Sequence, residues 1–476
     1  MNSGFMMREG LTFDDVLLIP RKSRVFSRKD IRTDTKLSRN ISLHIPLVSA
    51  NMDTVTESRM ARAMAEAGGI GIIHRFCSIE KEVEEVKKVK RAENVVIDDP
   101  VTVYPDDTLR QARAVMDAND ASSALVIEKG GKKLVGILTS RDMLFEETNG
   151  KAVKEVMTKK VITAPYNISI KKAQAILHQY KIEKLPLVKR NGDLAGLITL
   201  KDILKKIYNP YASKDKKGRL LVGAAVGVKD DTLPRAKALF EAGADVLVVD
   251  IAHGHNTRAL QTIQKLRKVF GKKIDIIAGN IATKEGAIDL IRAGADALKV
   301  GIGPGAACTT RIVTGVGIPQ LTAIQEVVSV AKKYNMPVIA DGGIKNSGDF
   351  AKALASGAQT VMIGKLFAGC RESPGEIMME RGIAYKYYRG MASFEAGKDK
   401  SRMDGGGDNF NRAPEGASGK IAYSGETAMV ISDLIAGLRS SMSYLGAHNL
   451  SEFAKNANFI KITHPGLLES RPHGVE

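Results

Sequence analysis

The chain has 476 residues, 44% of them hydrophobic and 26% charged, which is long enough for two domains, because one domain typically holds about 100–200 residues. The net charge of +18 comes from dispersed lysines, which is typical of a solvated surface and suits anionic nucleotides as ligands. An aromatic content of 5% without Trp argues against a surface that stacks on single-stranded nucleic acid. The chain has three cysteines without metal-ligand spacing, which predicts neither a disulfide framework nor a zinc site and favours a reducing, cytoplasmic setting. It has no apolar run long enough for a membrane span and no secretory signal, so no membrane partner is predicted.

The first 94 residues predict the start of a mixed α/β domain. Two apolar runs, residues 45–50 and 68–74, are typical of short buried strands. Each is followed by a stretch with helical periodicity, residues 57–67 and 80–91. This order of strand, helix, strand, helix predicts two β/α units.

An internal repeat follows. Residues 134–142 and 194–202 match at an offset of 60, which predicts two copies of one unit at about 97–148 and 154–208, within an insert of residues 95–213. The pattern resembles a tandem pair of CBS domains (a Bateman module), which bind purine nucleotides. In that family a Thr and an Asp contact ribose and phosphate, and the matching residues here are Thr139, Asp142, Thr199 and Asp202. A purely structural pair of modules remains an open alternative.

From residue 214 onward, strands and helices alternate regularly. Apolar strands are predicted at residues 220–225, 246–250, 274–278, 297–301, 337–341 and 360–364. With the two earlier strands they make eight, the number in a (β/α)8 TIM barrel, here formed by residues 1–94 and 214–476. A doubly wound sheet is the alternative, but no early GxGxxG lies between a strand and a helix to favour it.

Polar residues and glycines follow the predicted strands directly. They are Asp250, Asn280, the loop 301–308, Asp341-Gly342-Gly343 and Gly364-Lys365. Asp and Asn after a strand are also common in turns, so one such residue would mean little. Because the carboxyl ends of barrel strands meet on one rim, five such ends together predict a ligand site.

The stretch 299–311, KVGIGPGAACTTR, combines a strand end with a glycine-rich loop and a cysteine. Glycine amides can approach an anion closely, and a cysteine held at a strand end is a candidate nucleophile. An isolated cysteine is more often a small buried hydrophobic residue. The neighbouring strand ends favour the catalytic interpretation of Cys308.

This loop resembles GxGPGSxCTTR, the active-site loop of the IMP dehydrogenase/GMP reductase superfamily. The stretches LTFDDVLLIP, SANMDTVTE, DIAHGH, IADGGI, YRGMAS and LLESRPHG also match that family in order, so the resemblance covers essentially the whole chain. It implies an NAD-dependent oxidation of inosine monophosphate (IMP) to xanthosine monophosphate (XMP). The implied route passes through a covalent thioimidate on Cys308, which water hydrolyses.

The resemblance also implies roles for individual residues. Those implied to act in catalysis are Cys308, Thr310 and Arg402. Those implied to bind the nucleotide substrate are Met52, Ala306, Asp341, Gly342, Gly343, Gly364, Lys365, Tyr388, Arg389, Gly390, Met391, Ala392 and Glu415. Those implied to bind NAD are Asp250, Asn280, Gly301, Ile302 and Gly303. Those implied to bind potassium are Gly303, Gly305 and Cys308, with Glu469, Ser470 and Arg471 of a neighbouring subunit, which implies a homotetramer.

Three positions depart from the family pattern. Ala306 and Lys365 stand where serines usually contact the phosphate, and the lysine is interpreted as compensating for both. Met403 stands where a Tyr usually follows the flap arginine, here Arg402. The flap itself, residues 394–412, is rich in Gly, Lys and Asp and is predicted to be mobile.

Two alternatives to the oxidation remain open. One is NADPH-dependent reduction of GMP, which shares the cysteine, the threonine and the barrel. That branch of the family has a Glu at the position of Phe394, whereas Glu395 here lies one position later. The other is a nucleotide-sensing regulator without turnover, which the intact Cys308-Thr309-Thr310 disfavours.

Overall fold

The computed structural model describes residues 7–92, 96–97, 100–119, 121–146, 150–200, 203–204, 209–403 and 413–472, with the side chains of 400–403 not described. The chain forms two compact units. One comprises residues 1–92 and 211–476, and the other comprises residues 93–210.

The first unit is a closed barrel of eight parallel strands. In chain order they are β1 (Leu47–Ser49), β2 (Ile70–Ile73), β3 (Val222–Val226), β4 (Val246–Asp250), β5 (Asp275–Ile281), β6 (Ala297–Val300), β7 (Val338–Asp341) and β8 (Thr360–Ile363). The barrel closes where β8 pairs with β1, and the second unit interrupts the chain between β2 and β3. The predicted (β/α)8 fold with an insertion is therefore confirmed.

Eight helices surround the barrel, one after each strand. They are α1 (Ser58–Glu66), α2 (Ile79–Arg91), α3 (Thr232–Ala242), α4 (Thr257–Phe270), α5 (Lys284–Ala293), α6 (Gln320–Ala331), α7 (Ser347–Ala355) and α8 (Thr427–Tyr444). Helices α3 and α5 both end at a glycine in the left-handed conformation, Gly243 and Gly294, directly before an alanine. Only glycine adopts this conformation without strain, so the Ala-Gly-Ala sequences set where these helices end.

Shorter elements surround the barrel. Two small antiparallel pairings join Val16–Leu18 to Phe459–Lys461 and Thr35–Lys36 to Ser42–Leu43, and a three-stranded sheet contains Met378–Glu380, Ile383–Arg389 and Ser418–Ala422. The remaining helices are Thr310–Thr314, Lys365–Ala368, Phe394–Met403, Leu450–Asn456 and His464–Glu469, with 3-10 turns at Phe13–Asp15, Arg28–Asp30 and Lys332–Tyr334.

The second unit consists of two modules of the same topology. The first has strands Thr102–Val103, Ser123–Ile127 and Leu134–Thr139 with helix Leu109–Ala118, and the second has strands Ala164–Pro165, Lys184–Val188 and Leu194–Thr199 with helix Ile170–Tyr180. A short helix, Val153–Val156, precedes the second module. In both modules the first two strands are parallel, and the last two are antiparallel with a bulge at the equivalent place.

The two modules exchange chain segments. Ile97, which precedes the first module, pairs with Leu197 in the second, and Thr158, which precedes the second, pairs with Ile137 in the first. Lys133 pairs directly with Asp193, its equivalent at the offset of 60. Each module therefore completes the sheet of the other, although each has its own apolar cluster.

Among the described residues, no helix is both long and apolar enough to cross a membrane.

We expect the barrel to fold without the second unit. The chain re-enters the barrel in an ordered way, because the Ser213 amide donates to the Ala65 carbonyl (2.8 Å) and Lys214 pairs with Leu220. A variant with residues 93–210 replaced by a short Gly-Ser linker should unfold in one cooperative thermal transition, as followed by circular dichroism.

Deletion of the first module alone is the matched control. It removes Ile97 and leaves the edge of the second module without its partner, so this variant should be less soluble and less stable than the full deletion. An insoluble or unfolded barrel after the full deletion would contradict the prediction.

Candidate active site

A cleft of about 1000 Å³ lies at the carboxyl ends of the barrel strands. Sixteen of the residues predicted for the site line it: Met52, Asp250, Asn280, Gly301, Ile302, Gly303, Gly305, Cys308, Thr310, Asp341, Gly342, Tyr388, Gly390, Met391, Ala392 and Glu415. These residues come from five strand ends, from the segment 388–392 and from Glu415. The structure thus brings distant parts of the sequence to one cavity.

The glycine-rich loop after β6 is held in shape by Arg311. Its Nε donates to the Ile302 carbonyl (3.2 Å), and its Nη2 donates to the Ile318 carbonyl (2.6 Å). Gly303 has φ of +87°, and a Cβ there would lie 2.5 Å from the Arg311 Cγ. A side chain at this position would therefore be strained and would displace the arginine that fixes the loop.

Cys308, Thr310 and Glu415 form a chain of polar contacts. The Cys308 Sγ lies 3.2 Å from the Thr310 hydroxyl, which donates to the Glu415 Oε2 at 2.8 Å. Backbone hydrogen bonds hold the two segments together, from the Thr309 amide to the Glu415 carbonyl (3.0 Å) and from the Ala417 amide to the Ala307 carbonyl (2.8 Å). A proton leaving the thiol or a nearby water therefore has a hydrogen-bonded route to a carboxylate.

The other two cysteines differ from Cys308 in their environment. Burial raises the pKa of the Cys77 thiol to about 12 and that of the Cys370 thiol to about 11, so both are protonated at neutral pH. Cys308 is only partly buried and lines the cleft. Of the three thiols, it alone faces a cavity that could hold a substrate.

A buried lysine, Lys299 on β6, joins the two acidic strand ends beneath the cleft. Its Nζ lies 2.7 Å from Asp250 Oδ1 and 2.7 Å from Asp341 Oδ2, and it also donates to the Asn280 side-chain oxygen. Asn280 Nδ2 in turn donates to Asp341 Oδ2 (2.9 Å) and to the Gly301 carbonyl (2.7 Å). The lysine thereby links β4, β5, β6 and β7.

Lys299 and the carboxylates around it stabilise each other's charged forms. Burial alone would raise the pKa of Asp250, but the Lys299 ammonium outweighs it and holds the pKa below its ordinary value. Burial would likewise lower the pKa of Lys299, yet the two carboxylates raise it. Lys299 and Asp250 are therefore both ionised at neutral pH. The described side-chain contacts of Asp341 both use its Oδ2 atom. Its Oδ1 atom can therefore accept a hydrogen bond from a ligand.

Tyr388 lines the cleft close to Met52. Its hydroxyl donates to the Met52 Sδ (3.9 Å), and a Cβ at Gly364 would lie 3.2 Å from this hydroxyl. Burial, with a smaller effect of the Asp341 charge, raises the pKa of Tyr388 well above its ordinary value. The phenol therefore stays protonated and can donate a hydrogen bond at any physiological pH.

Arg389 links the barrel to the predicted flap. Its Nε and Nη2 donate to Asp53 Oδ2 (2.9 and 2.5 Å), and its Nη1 donates to Asp399 Oδ2 (2.7 Å). Both described partners of its guanidinium group are thus carboxylates of the protein itself.

The first part of the flap, Phe394–Met403, is a helix, an element that the sequence analysis did not predict. The physical reason is local: Ala396 is buried, the Ser393 hydroxyl accepts from the Ala396 amide (3.2 Å), and Asp399 pairs with Arg389. The backbone of Arg402 lies in this helix. Its side chain, that of Met403 and the segment 404–412 lie outside the described residues, as does Asp202 of the second unit.

Five predicted nucleotide contacts do not line the cleft: Arg389, described above, and Gly343, Gly364, Ala306 and Lys365. Gly343 (φ +84°) packs near Phe13 and Pro304, and Gly364 lies behind Met52 and Tyr388. Ala306 and Lys365 are exposed, and Lys365 begins the short helix Lys365–Ala368 directly after β8.

The predicted potassium ligands are carbonyl oxygens of the cysteine loop. The Gly305 carbonyl accepts from the Cys308 amide (3.0 Å), which occupies one of its two lone pairs. Carbonyl oxygens are neutral, hard donors, which suit a hard cation better than zinc. Among the described residues there is no group of three His, Cys, Asp or Glu side chains that could hold a metal ion. Glu469, Ser470 and Arg471 are exposed at the end of the helix His464–Glu469.

Sequence reasoning missed four residues of the site. They are Asn51, which donates to Asp250 (2.9 Å), Arg75, Lys299 and Arg311. Lys299 carried a usable signal, because a lysine inside the apolar run ADALKV must be paired if that run is a buried strand. Asn51 had no such signal, since its partner Asp250 lies far away in the sequence. The partners of Arg311 are close in sequence, but they are backbone carbonyls, which no side-chain pattern marks.

Comparison with known proteins agrees with this geometry. A family model described as IMP dehydrogenase / GMP reductase domain matches residues 10–473. The chain is 51% identical over 475 residues to the inosine-5'-monophosphate dehydrogenase of Aquifex aeolicus, covering 99% of this chain and 96% of that protein. It is 49% identical over 473 residues to that of Nitrosopumilus maritimus, covering 98% and 99%.

A solved structure of a GMP reductase variant from Trypanosoma brucei, in complex with guanosine 5'-monophosphate, has a TM-score of 0.94 to this chain. The two are 44% identical, and the match covers 99% of each chain. Because the family model and relatives of about half identity span nearly the whole chain, the protein belongs to the IMP dehydrogenase / GMP reductase family.

Proposed function

We propose that this protein catalyses the oxidation of IMP by NAD and water, giving XMP, NADH and a proton. The observation that carries the proposal is the contact chain from Cys308 through Thr310 to Glu415 inside a cleft that also holds the carboxylates of Asp250 and Asp341. A nucleophile with a linked base suits attack on an electrophilic purine carbon, and the acidic residues suit the ribose hydroxyls of two nucleotides. Relatives named as IMP dehydrogenases at 49–51% identity support this choice.

In the first half of the reaction the Cys308 sulfur forms a bond to C2 of the hypoxanthine ring. The C2 hydrogen then leaves as hydride to the nicotinamide ring of NAD, so the purine is oxidised and NAD is reduced. The thiol proton passes to Glu415 through the Thr310 hydroxyl, which lies 3.2 Å from the sulfur and 2.8 Å from the carboxylate. A covalent thioimidate on Cys308 is left.

In the second half, water adds to the thioimidate at C2 and the C–S bond breaks, which releases XMP and returns the thiol. The water must lose a proton. Arg402 on the flap helix is the base that the family resemblance implies, and the Thr310–Glu415 pair is a second acceptor already at the nucleophile. Because Met403 has no hydroxyl to assist Arg402, the Glu415 route carries more of this step here.

The two nucleotides occupy different sides of the cleft. Asp341 binds the ribose of IMP, the amides of Gly342, Gly343 and Gly364 face its phosphate, and Tyr388 donates to it. Residues that contact its purine ring are Met52, Gly390, Met391, Ala392 and Glu415. NAD lies against Asp250, Asn280 and the residues Gly301, Ile302 and Gly303. Arg389 positions the segment 388–392 through its ion pair with Asp53, which lies 2.5 Å away.

Three further partners belong to the proposal. Potassium binds the carbonyls of Gly303, Gly305 and Cys308, together with Glu469, Ser470 and Arg471 of a neighbouring subunit in a homotetramer. Purine nucleotides bind the two modules of residues 95–213 near Thr139 and Thr199. Asp142 supports this role, because it accepts from both the amide and the hydroxyl of Thr139 (2.7 and 2.8 Å) and fixes the threonine at its strand end.

Reduction of GMP by NADPH is the second candidate. It is favoured by the TM-score of 0.94 to a GMP reductase and by the Thr310–Glu415 pair, which could protonate a leaving ammonia as well as accept a proton from water. The sequence favours oxidation, because Phe394 lies where the reductases have a Glu and a long glycine-rich segment follows.

An assay for direction tests the proposed function. The purified protein with IMP and NAD should produce NADH, seen at 340 nm, whereas GMP with NADPH should give no loss of absorbance. Cys308→Ala should abolish turnover and leave IMP affinity within about threefold, because the sulfur makes the covalent bond rather than the binding contacts. Consumption of NADPH with GMP and no NADH from IMP would establish the reductase instead, and no turnover with either pair would favour the regulator.

Selective alkylation should identify the nucleophile. At pH 8, iodoacetamide should modify Cys308 and leave Cys77 and Cys370 unmodified, because burial keeps their pKa values at about 12 and about 11 and their thiolates scarce. Peptide mass spectrometry gives the site of modification, and IMP should protect Cys308. Equal modification of all three residues would contradict this account of the thiols.

Lys365→Ser should weaken IMP binding if the lysine replaces the two missing serines. Loss of a charge-assisted hydrogen bond predicts about a tenfold or greater rise in the KM for IMP. The double variant with Ala306→Ser should recover part of that loss. Lys333→Ser, an exposed lysine that follows α6, serves as the control and should have no effect. An unchanged KM in Lys365→Ser would show that this side chain does not contact the phosphate.

A further inference from the structure

Arg75, which follows β2, is a cation of the cleft that the proposed chemistry leaves without a role. It is half-buried and lines the cavity close to Asp250, whose pKa its charge helps to hold down. Its Nε is buried and has no hydrogen-bond partner among the described residues. A buried guanidinium nitrogen left unpaired costs free energy, so its presence beside a ligand cavity calls for a partner.

The surroundings of Arg75 fix the guanidinium in place. It lies over the ring of Phe76, with Cζ 5.1 Å from the ring centroid. On the other side is Gly227, directly after β3, where a Cβ would lie 3.0 Å from Nη1 and 3.2 Å from Cζ. The Phe76 ring and the backbone of Gly227 thus leave a gap that is about as wide as the planar guanidinium group. A held guanidinium loses little entropy when it binds, which favours a planar, charge-assisted contact with an oxyanion.

The position of Arg75 on the rim indicates which ligand it meets. The nucleophile and the residues proposed to bind the ribose and phosphate of IMP follow β6, β7 and β8, and Met52 follows β1. Arg75, Gly227 and Asp250 instead follow or end β2, β3 and β4. In a closed eight-strand barrel these two groups of strand ends lie on opposite sides of the rim. The anion that reaches Arg75 is therefore carried by the second nucleotide rather than by IMP.

We propose that Arg75 binds the diphosphate bridge of the dinucleotide cosubstrate and so selects a dinucleotide over a nicotinamide mononucleotide. The inference rests on the proposed function only in taking the second ligand to be a nicotinamide dinucleotide. It gives Arg75 a binding role, with no part in the bond changes at C2.

The test compares Arg75→Gln and Arg75→Lys with the wild type, using NAD and nicotinamide mononucleotide as oxidants. In Arg75→Gln the KM for NAD should rise at least about tenfold, while kcat and the KM for IMP stay within twofold. The KM for the mononucleotide, which lacks the diphosphate bridge, should change less than twofold. Arg75→Lys should recover part of the NAD affinity, because it keeps the charge but not the two-pronged geometry.

A matched control removes the same charge elsewhere. Arg292→Gln changes an exposed arginine in the last turn of α5, the end of the helix that lies away from the cleft, and should leave the KM for NAD unchanged. A KM for IMP that rises instead of that for NAD would place Arg75 on the other nucleotide and overturn the proposal. Equal losses for NAD and the mononucleotide, or no loss at all, would overturn it too.

Direct binding separates this inference from the proposed function. If the wild type makes no NADH from IMP, the proposed function fails. Calorimetric titration of the wild type and Arg75→Gln with NADH and with NADPH then still tests the arginine. Weaker binding of either dinucleotide in the variant supports the role of Arg75, and equal binding of both in the two proteins overturns it.

Discussion

The ammonium of Lys299 is the charge on which the geometry of the cleft depends. It is 2% exposed, and moving one such ion out of water costs several kcal/mol unless partners replace the water. Asp250, Asp341 and Asn280 are those partners, and each lies at or near the end of a neighbouring strand. Removing one member of such a buried group is typically destabilising by about 3–5 kcal/mol, because the others stay buried and unpaired.

The same network positions the nucleophile indirectly. Asn280, held by Lys299, donates to the carbonyl of Gly301, the first residue of the cysteine loop. Gly279 must lack a side chain, since a Cβ there would lie 2.5 Å from the Lys299 carbonyl oxygen. At the other end of the loop, Arg311 binds the Ile302 and Ile318 carbonyls. The loop that carries Cys308 is thus fixed by the buried cation of Lys299 and by the half-buried cation of Arg311.

How far the sequence predicts this molecule depends on the range of the interactions. The eight strands were predictable because each is a mostly apolar run of three to seven residues with a polar or glycine residue at or near its end, a local property. The helix Phe394–Met403 was not, because its composition predicts a mobile loop and its order comes from Arg389 and from the burial of Ala396. Thr310 and Glu415 were both assigned to the site from their motifs. Their direct contact, across 105 residues of chain, required the fold.

Arg389 forms two ion pairs that differ in strength, and the weaker one is the pair with the flap helix. Asp53 is 11% exposed and Asp399 is 42% exposed, so the pair with Asp53 is shielded from solvent while the pair with Asp399 is not. An exposed pair contributes only about 0–1 kcal/mol, and a partly buried one contributes more. Breaking the pair with Asp399 therefore costs little free energy, while Arg389 stays on Asp53 and keeps the wall at Gly390 in place. The helix that begins at Phe394 is held mainly by the burial of Ala396, which is 0% exposed. Phe394 and Lys398 thus line the cavity from a helix that is anchored by an apolar contact rather than by its ion pair.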